Sequence, residues 1–519
     1  MRPSFNTAGP CNPGEHYMLP PERRLKLVMK FIEEHKYFTL TAGRQTGKTT
    51  CARWLEDHYN ATGDWHALWV DIQTAREQPD PATAFRVVLD KIASVCKSLE
   101  PPFQPLDRTR IDELVSIPQT AILHCLSDLA ARDDKRWVIF FDEADGLVGE
   151  AMVSFLTQLR DGYINRSKSP FPASVVLVGQ RQVRDYALRE EDRRVLAWLG
   201  TSSPFNITAK PATLDPFTES EVAELLQQHT DETGQVFLPE AVAKIYELGQ
   251  GHPWLTNALA DQIVNYDVED RAIPITVEDV EAAKETIIIE RRSHIDSLVA
   301  RLREPRVRRI LDPMLEGALP DGDMLDDDIA YCVGLGLLRK RAGGIEIANP
   351  IYREVIPRTL TYAQQVTLPQ QTAWYVRPDG SLDMGKLMQD WQMFWREDGH
   401  LAAEGFSYRE SGPHLMLMAF LQRIINGGGR ITREYGLGRK ALDLLIFWKD
   451  ERHAIEVKIR RDSETETRAL DQVAGYLDRL GESDGWMVMF DMRKEVAWND
   501  KLFVREVDHA GKHIRLVGC

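Results

Sequence analysis

Two groups of residues in this chain have the types and spacing that phosphate chemistry requires. The first is Ala42-Gly43-Arg44-Gln45-Thr46-Gly47-Lys48-Thr49, a turn between an apolar stretch, Phe38 to Leu40, and a helical one, Thr49 to Tyr59. Such a turn aims successive backbone N–H groups at phosphate oxygens, and the helix behind it adds the positive end of its dipole. On this reading Gly43, Gln45, Thr46, Gly47 and Thr50 surround the phosphates of ATP, Lys48 reaches the β and γ positions, and Thr49 ligates magnesium. The first position of the pattern is Ala42 instead of glycine, while Gly43, Gly47 and Lys48 are intact. Further on, Val138-Ile139-Phe140-Phe141-Asp142-Glu143 is an apolar strand that ends in two acids. Asp142 is placed to hold magnesium through water, and Glu143 to orient or deprotonate an attacking water.

The second group is Asp443 with Glu456-Val457-Lys458. Divalent-metal cleavage of a phosphodiester needs carboxylates from adjacent strands and a lysine that polarises the attacking water or steadies the developing charge. Leu442 to Trp448 reads as one strand, Lys449 to Arg452 as a turn, and His453 to Lys458 as the returning strand. Period-two geometry puts Glu456 and Lys458 on one face, and hairpin pairing can bring Asp443 beside them. Three such charges are costly to bury without a metal. Arg430, Arg433, Arg439, Lys440, Lys458, Arg460 and Arg461 cluster around this stretch. They read either as a local DNA-binding patch or as a solvated basic face.

The elements that must position these groups follow from hydrophobic patterning. Short apolar runs at Phe38 to Leu40, Ala67 to Val70, Trp137 to Phe141, Val175 to Val178 and Phe205 to Ile207 alternate with amphipathic segments such as Ala82 to Leu99 and Pro118 to Ala131. That alternation predicts an α/β domain with a mainly parallel sheet. After Pro211 the strands are expected to stop and a small helical lid to follow, with helices over Glu219 to Thr230 behind the capping residue Thr218, Pro239 to Leu248, and Trp254 to Val264. A long helix is expected from Val277 to Leu302. Val307 to Leu315, Leu325 to Leu335 and a hairpin of Leu337 to Lys340 with Ile345 to Ile347 outline a winged helix that either binds DNA or packs between domains. Five aspartates from Asp321 to Asp328 favour packing. In a connector, Met384 to Trp395 is amphipathic, and Trp391, Phe394 and Trp395 share one face as a core stripe.

Composition sets the frame. At 519 residues, roughly three domains are expected. No apolar run approaches the ~20 residues of a membrane span. The first residues contain no apolar leader core, so the expected compartment is the cytoplasm. Six scattered cysteines without a C-x-x-C pair argue for reduced thiols over disulfides or zinc. The net charge of −15 has the wrong sign for nonspecific coating of nucleic acid, so any DNA contact must rest on a local patch.

The stretch Tyr37 to Ile289 resembles the AAA+ class of ATPases, and within it the archaeal-type and STAND signalling branch. The loop, the FFDEAD strand, Gly179-Gln180 after the fourth strand and Gly251-His252-Pro253 carry the resemblance. It implies a γ-phosphate sensor at Gln180 and a lid in which His252 and Pro253 lie against the nucleotide. It also implies assembly into a homo-oligomer, since the class completes its site across a subunit interface. Arg193 and Arg194 stand in the region of an arginine finger, with nothing to separate them from surface arginines.

The stretch from about Gly405 to Cys519 resembles the PD-(D/E)XK nuclease superfamily, without the proline of its eponymous motif. The resemblance implies magnesium, or manganese, held by Asp443 and Glu456 with Glu410 as an additional ligand. A helix over Pro413 to Ile425 would precede the hairpin, and a helix from Ala469 to Leu480 would present Gln472, toward the metal-bound water or the phosphate, and Tyr476.

The expected organisation is an α/β multidomain chain. It comprises a parallel-sheet P-loop ATPase over residues 1–210, a helical lid over 211–289, a winged-helix region over 290–360, a connector over 361–404 and a restriction-endonuclease-like domain over 405–519. The expected function is an ATP-regulated, magnesium-dependent DNA endonuclease, with a role in prokaryotic defence or mobile-element biology implied by the resemblance. The alternative is a nucleotide-operated switch that binds DNA or a protein without cutting.

Overall fold

The computed structural model of the chain describes residues 2–99, 106–179, 211–290, 292–315, 326–341, 344–360, 375–396, 417, 420–421, 430–437, 440–460, 465–491, 493 and 496–519. The chain divides into two compact units, residues 1–294 with 326–350, and residues 295–325 with 351–519.

The first unit opens with α1 (Glu22–Glu33), β1 (Tyr37–Thr41), α2 (Lys48–Ala61), β2 (Trp65–Asp71), α3 (Pro81–Cys96), α4 (Arg108–Val115), α5 (Pro118–Ala130), β3 (Arg136–Asp142), α6 (Gly149–Asn165) and β4 (Ser174–Gly179). A two-residue strand, β5 (Ala212–Thr213), completes a parallel sheet in the order β2-β3-β4-β1-β5. β1 to β4 are largely apolar and buried on both faces because helices cover both. Tyr37, Leu68, Val70, Ile139, Phe141, Val175 and Leu177 pack toward α3, α5 and α6. Their neighbours Phe38, Leu40, Ala67, Val138, Phe140, Val176 and Val178 pack toward α1 and α2. This is the burial expected of a parallel sheet. β5 corrects the expectation that strands stop after Pro211, since backbone pairing with β1 decides there and a two-residue strand leaves no pattern to read. The strand expected over Phe205 to Ile207 lies outside the described residues.

The lid follows as α7 (Glu219–Thr233), α8 (Pro239–Gly249), α9 (Pro253–Gln262) and α10 (Val277–Ile289). Thr218 and Glu221 form a reciprocal capping box on α7, and Thr276 and Asp279 form one on α10. The single helix expected from Val277 to Leu302 is two. α10 stops at Ile289 and α11 (Ser293–Arg301) begins after a break in which Arg292 pairs with Glu290 and Asp261. The elements expected as a winged helix are divided between the units: α12 (Pro305–Leu315) belongs to the second, whereas α13 (Asp326–Gly334) and the antiparallel hairpin β6 (Leu338–Arg341) and β7 (Gly344–Ile347) belong to the first.

The second unit contains α14 (Pro350–Leu360), α15 (Met384–Phe394), β8 (Arg430–Leu437), β9 (Lys440–Trp448), β10 (Glu451–Arg460), α16 (Thr465–Leu480), β11 (Asp484–Asp491), α17 (Trp498–Lys501), β12 (Phe503–His509) and β13 (Lys512–Gly518). Its six-stranded sheet runs β12-β13-β11-β10-β9-β8, with β10, β11 and β13 parallel and the outer pairings antiparallel. The turn between β9 and β10 is only Lys449-Asp450, tighter than the four residues expected, with Lys449 at a φ of 52°. α16 covers one face through Leu470, Val473 and Leu477 against Met487 and Leu516. Trp391 and Trp395 of the 384–395 stripe meet Phe490 on the opposite face, and the Gln392 amide donates to the Phe503 and Gly518 carbonyls at 3.0 and 2.7 Å. The helix expected in a connector is therefore part of this sheet's core. No helix among the described residues is long and apolar enough to cross a membrane, and none of the six cysteines is in a disulfide.

Candidate functional site

The phosphate-binding loop joins β1 to α2 at the carboxyl edge of the sheet, where ligands of open α/β sheets bind. Gly47 caps α2 with a φ of 90°, in the left-handed region that favours glycine, and Gln45 stands at 55°. Lys48 is buried, and its Nζ donates to the Ala42 and Gly43 carbonyls at 3.0 and 2.8 Å. Burial pushes its ammonium below the usual lysine range. These carbonyls hold the charge in the place where β and γ phosphate oxygens would take it.

Asp142 ends β3 one strand away from β1, with β4 between them. Its Oδ2 accepts from Thr49 Oγ1 at 2.9 Å and from Trp69 Nε1 at 3.1 Å, while Oδ1 accepts from the Glu143 N–H at 3.0 Å. Burial raises the Asp142 carboxyl against these three bonds. A hydroxyl and a carboxylate held together beside a buried lysine form the hard-oxygen donor set that suits magnesium on a nucleotide. Glu143 has a φ of 58° and is turned onto Arg76, with Oε2 2.7 Å from Nη2. Burial, and then Asp145, lift its carboxyl above the ordinary value.

The remaining loop residues are engaged in different ways. Thr46 Oγ1 donates back to the Gly43 carbonyl at 2.8 Å, and the Thr46 carbonyl accepts from Arg24. Thr50 Oγ1 accepts from the Cys11 N–H at 3.0 Å, so its hydroxyl ties down the N-terminal segment. Gln45 Oε1 meets His294 Nδ1 at 2.7 Å. Gln180, Arg193 and Arg194 lie outside the described residues.

The lid reaches this loop through Gly251-His252-Pro253. Gly251 has a φ of 72°, and a methyl group there would stand 1.9 Å from the Phe217 carbonyl oxygen. The backbone closes this approach with a Phe217 N–H to Gly251 carbonyl bond of 2.8 Å. His252 then caps α9, with Pro253 in its first turn, and its ring hydrogen-bonds the Arg44 backbone. The rings of His252 and Trp254 lie 4.7 and 4.9 Å from that of His294. Burial holds His252 down to about 4, helped by Arg24 and Lys48, so the ring beside the loop is a neutral imidazole at physiological pH. From the other side the turn after α13 closes on the loop: a methyl group on Gly43 would stand 3.3 Å from the Leu335 carbonyl oxygen and 3.4 Å from Gly336 Cα.

Sequence reasoning missed the wall beside the loop. Cys11, Tyr17, Leu19, Gly47, Phe217 and Pro253 line a small, largely apolar slot. The N-terminal segment is held over it by Asn6 N–H to Asn257 Oδ1 and by Trp254 Nε1 to the Thr7 carbonyl, at 3.2 and 2.9 Å. These pairings span about 250 residues and leave no local spacing to read.

In the second unit, pairing of β9 with β10 runs to Leu444 opposite Ile455. Beyond it the Asp443 side chain replaces the partner strand, its Oδ2 accepting from the Val457 N–H at 2.8 Å. Glu456, 1% exposed, lies beside it. Lys458 Nζ sits 2.7 Å from Glu456 Oε1 and 3.8 Å from Asp443 Oδ2. The structure thus brings Asp443, Glu456 and Lys458 together. Burial and the Asp443 charge push the Glu456 carboxyl up to about 7. Against its own burial, Lys458 is held above the usual lysine range by Asp443 and Glu456.

Gln472 is half-buried on α16, one turn before Tyr476, whose phenol is raised by burial and by Glu456 and Asp443. Glu410 lies outside the described residues, as does most of the helix expected over Pro413 to Ile425. Among the described residues no three His, Cys, Asp or Glu side chains converge on one metal position, and Asp443 and Glu456 are a pair. Of the seven basic residues grouped in the sequence, the side chains of Lys458 and Arg460 are described, and both pair with carboxylates, Arg460 with Glu466.

Residues 32–186 match the family model described as an AAA domain. The chain therefore carries an AAA-type ATPase domain on a parallel-sheet P-loop fold. Among solved structures the chain is similar to a Walker-type ATPase of Pyrococcus abyssi, at 14% identity over 68% of this chain and 99% of that one, with a TM-score of 0.47. It is also similar to Cdc6p from Pyrobaculum aerophilum, at 14% identity over 67% and 94% with a TM-score of 0.35. A third similarity is to RuvB, the Holliday-junction branch-migration motor of Thermotoga maritima, at 16% identity over 64% and 93% with a TM-score of 0.33. Comparison with curated proteins gave no match.

Proposed function

We propose that this chain is an ATP-regulated, magnesium-dependent DNA endonuclease, in which the AAA-type module controls phosphodiester cleavage in the second unit. The observation that carries the cleavage reading is Lys458 held between Asp443 and a buried Glu456 at the end of a broken strand ladder. Two carboxylates from adjacent strands with a lysine on the same face are the groups that cleavage of a phosphodiester calls for.

On the nucleotide side, Lys48 exchanges the Ala42 and Gly43 carbonyls for phosphate oxygens, and Thr49 and Asp142 hold magnesium. Glu143 parts from Arg76 before it can take a proton from water. His252 and Pro253 carry the state of the loop into the lid. On the cleavage side, Asp443 and Glu456 hold magnesium or manganese, which supplies positive charge to the scissile phosphate and its attacking water, with Glu410 as an additional ligand. Lys458 leaves Glu456 to face the phosphate, and Gln472 orients water. Control runs along the chain itself, which passes between the units at residues 294–295, 325–326 and 350–351. Self-association completes the nucleotide site, and the biological setting that suits such an enzyme is prokaryotic defence or mobile-element biology.

The mutual neutralisation of Asp443, Glu456 and Lys458 also supports a second reading, a nucleotide-operated switch whose second unit binds DNA or a protein without cutting. Cleavage assays separate the two. The full chain with magnesium or manganese and ATP is expected to cut single-stranded DNA, duplex DNA or both. Asp443→Ala should abolish cleavage and leave ATP hydrolysis within about twofold, since Asp443 is not among the residues that hold the nucleotide or its magnesium. Identical behaviour of wild type and Asp443→Ala across metals and nucleotides would overturn the endonuclease reading.

A further inference from the structure

We infer that Trp69 is a positioning residue for the magnesium-binding carboxylate of Asp142, tying it to the sheet independently of the phosphate-binding loop. This rests on the reading of Thr49 and Asp142 as the magnesium residues. Trp69 sits on the edge strand β2, paired with Phe140 of β3, two residues before the Asp71–Asp142 pair that ends the ladder. Its side chain packs on the α2 face of the sheet, against the core that holds Phe38, Ala52 and Phe140. From there the indole N–H reaches Asp142 Oδ2 at 3.1 Å, on the same oxygen that Thr49 occupies at 2.9 Å.

The two donors to that oxygen differ in what carries them. Thr49 rides on the first turn of α2 and moves with the loop. Trp69 is fixed by the sheet, and its position is set twice over from α2. Glu56 Oε1 accepts the Trp69 backbone N–H at 2.8 Å, supplying the partner that an edge strand lacks, and the Arg53 guanidinium lies 5.8 Å from the centre of the indole ring. One residue pair earlier, Asn60 does the same for Ala67 through bonds of 2.8 and 3.0 Å. An ordinary edge-strand tryptophan does not need its N–H aimed at a carboxylate. This one supplies a charge-assisted bond that keeps Asp142 facing the cation position while Lys48 and Thr49 rearrange around an incoming nucleotide.

The test is calorimetry of ATP binding to the full chain at increasing magnesium, for wild type, Trp69→Phe, and a chain with benzothienylalanine at position 69. The last places sulfur where the indole N–H was and keeps the ring, so it preserves packing even where Trp69→Phe does not fold. Both changes are expected to raise the magnesium concentration at half-effect about tenfold, the size of one hydrogen bond to a charged group, and to leave magnesium-free nucleotide binding within about twofold. A spectroscopic readout accompanies it. The chain has twelve tryptophans, so in protein labelled with 5-fluorotryptophan the Trp69 resonance is assigned by its loss in Trp69→Phe, and it should shift when magnesium is added to the nucleotide complex. A normal wild type beside unchanged magnesium dependence in both variants overturns the inference alone. A wild type whose ATP binding ignores magnesium overturns the reading of Thr49 and Asp142, and the inference with it.

Discussion

The nucleotide loop and the Asp443–Glu456–Lys458 cluster each hold a lysine, buried at Lys48 and half-buried at Lys458, and they hold it by opposite means. Lys48 is hydrogen-bonded by neutral backbone carbonyls of its own loop, so the loop can release it without leaving a bare carboxylate behind. Lys458 is bound to two carboxylates, one of them almost fully buried, so removing any member leaves the others uncompensated. The difference teaches that a site built from backbone tolerates ligand exchange cheaply, whereas a site built from mutual charge is itself part of the core it sits in.

The comparison can be broken by substitution. Lys48→Ala should lower ATP hydrolysis by about a hundredfold or more, as loss of a group that stabilises transferring phosphate does, while thermal unfolding of the chain changes little. Lys458→Met should do the reverse to stability: it leaves Glu456 and Asp443 facing each other, at a cost of about 3 kcal/mol in the second unit by analogy with broken buried pairs. Differential scanning calorimetry checks both, and comparable losses of stability would erase the contrast. Gly251→Ala should cost about 2–3 kcal/mol and weaken nucleotide binding, because the new methyl meets the Phe217 carbonyl and the backbone is in the left-handed region.

Acid and base should also pull the two sites apart. His252 is held down to about 4 in the folded chain, so between its ordinary value near 6.5 and about 4 the unfolded chain binds more protons, and stability of the first unit falls as pH falls through that window. Glu456 is pushed up to about 7, so the folded chain binds more protons between about 4.5 and 7, and stability of the second unit falls as pH rises there. Urea melts followed by hydrogen exchange in each unit should show these opposite slopes, and parallel slopes would contradict them. The smallest expected effect is Thr218→Ala, about 1 kcal/mol from loss of the capping box on α7.

How much of this was legible follows from how local each signal is. The loop, the β3 strand with its terminal acids, and the alternation of apolar faces in β1 to β4 are encoded within a few residues of each other, and the sheet realises them. Period two likewise sets Glu456 and Lys458 on one face. The rest depends on distant partners. The Glu143–Arg76 pair, the Trp69 bond to Asp142, the N-terminal segment across the apolar slot and the break between α10 and α11 are decided by tertiary contacts that no spacing announces. Trp391 reads as core from its helical face, but only the Phe490 contact shows which sheet it serves.

The contact of Gly43 with Gly336 has a practical corollary for anyone dividing this chain. These residues lie 293 positions apart in sequence, yet their backbones are in van der Waals contact, a side chain on Gly43 would press on the Leu335 carbonyl, and Gly336 holds a φ of 78° that favours glycine. A fragment cut after the lid, at Ile289, would keep every residue of the nucleotide motif and lose one wall of the turn that shapes it. Excision after the hairpin, near Pro350, keeps that wall, and the longer fragment ending there is the one from which to expect faithful nucleotide affinity.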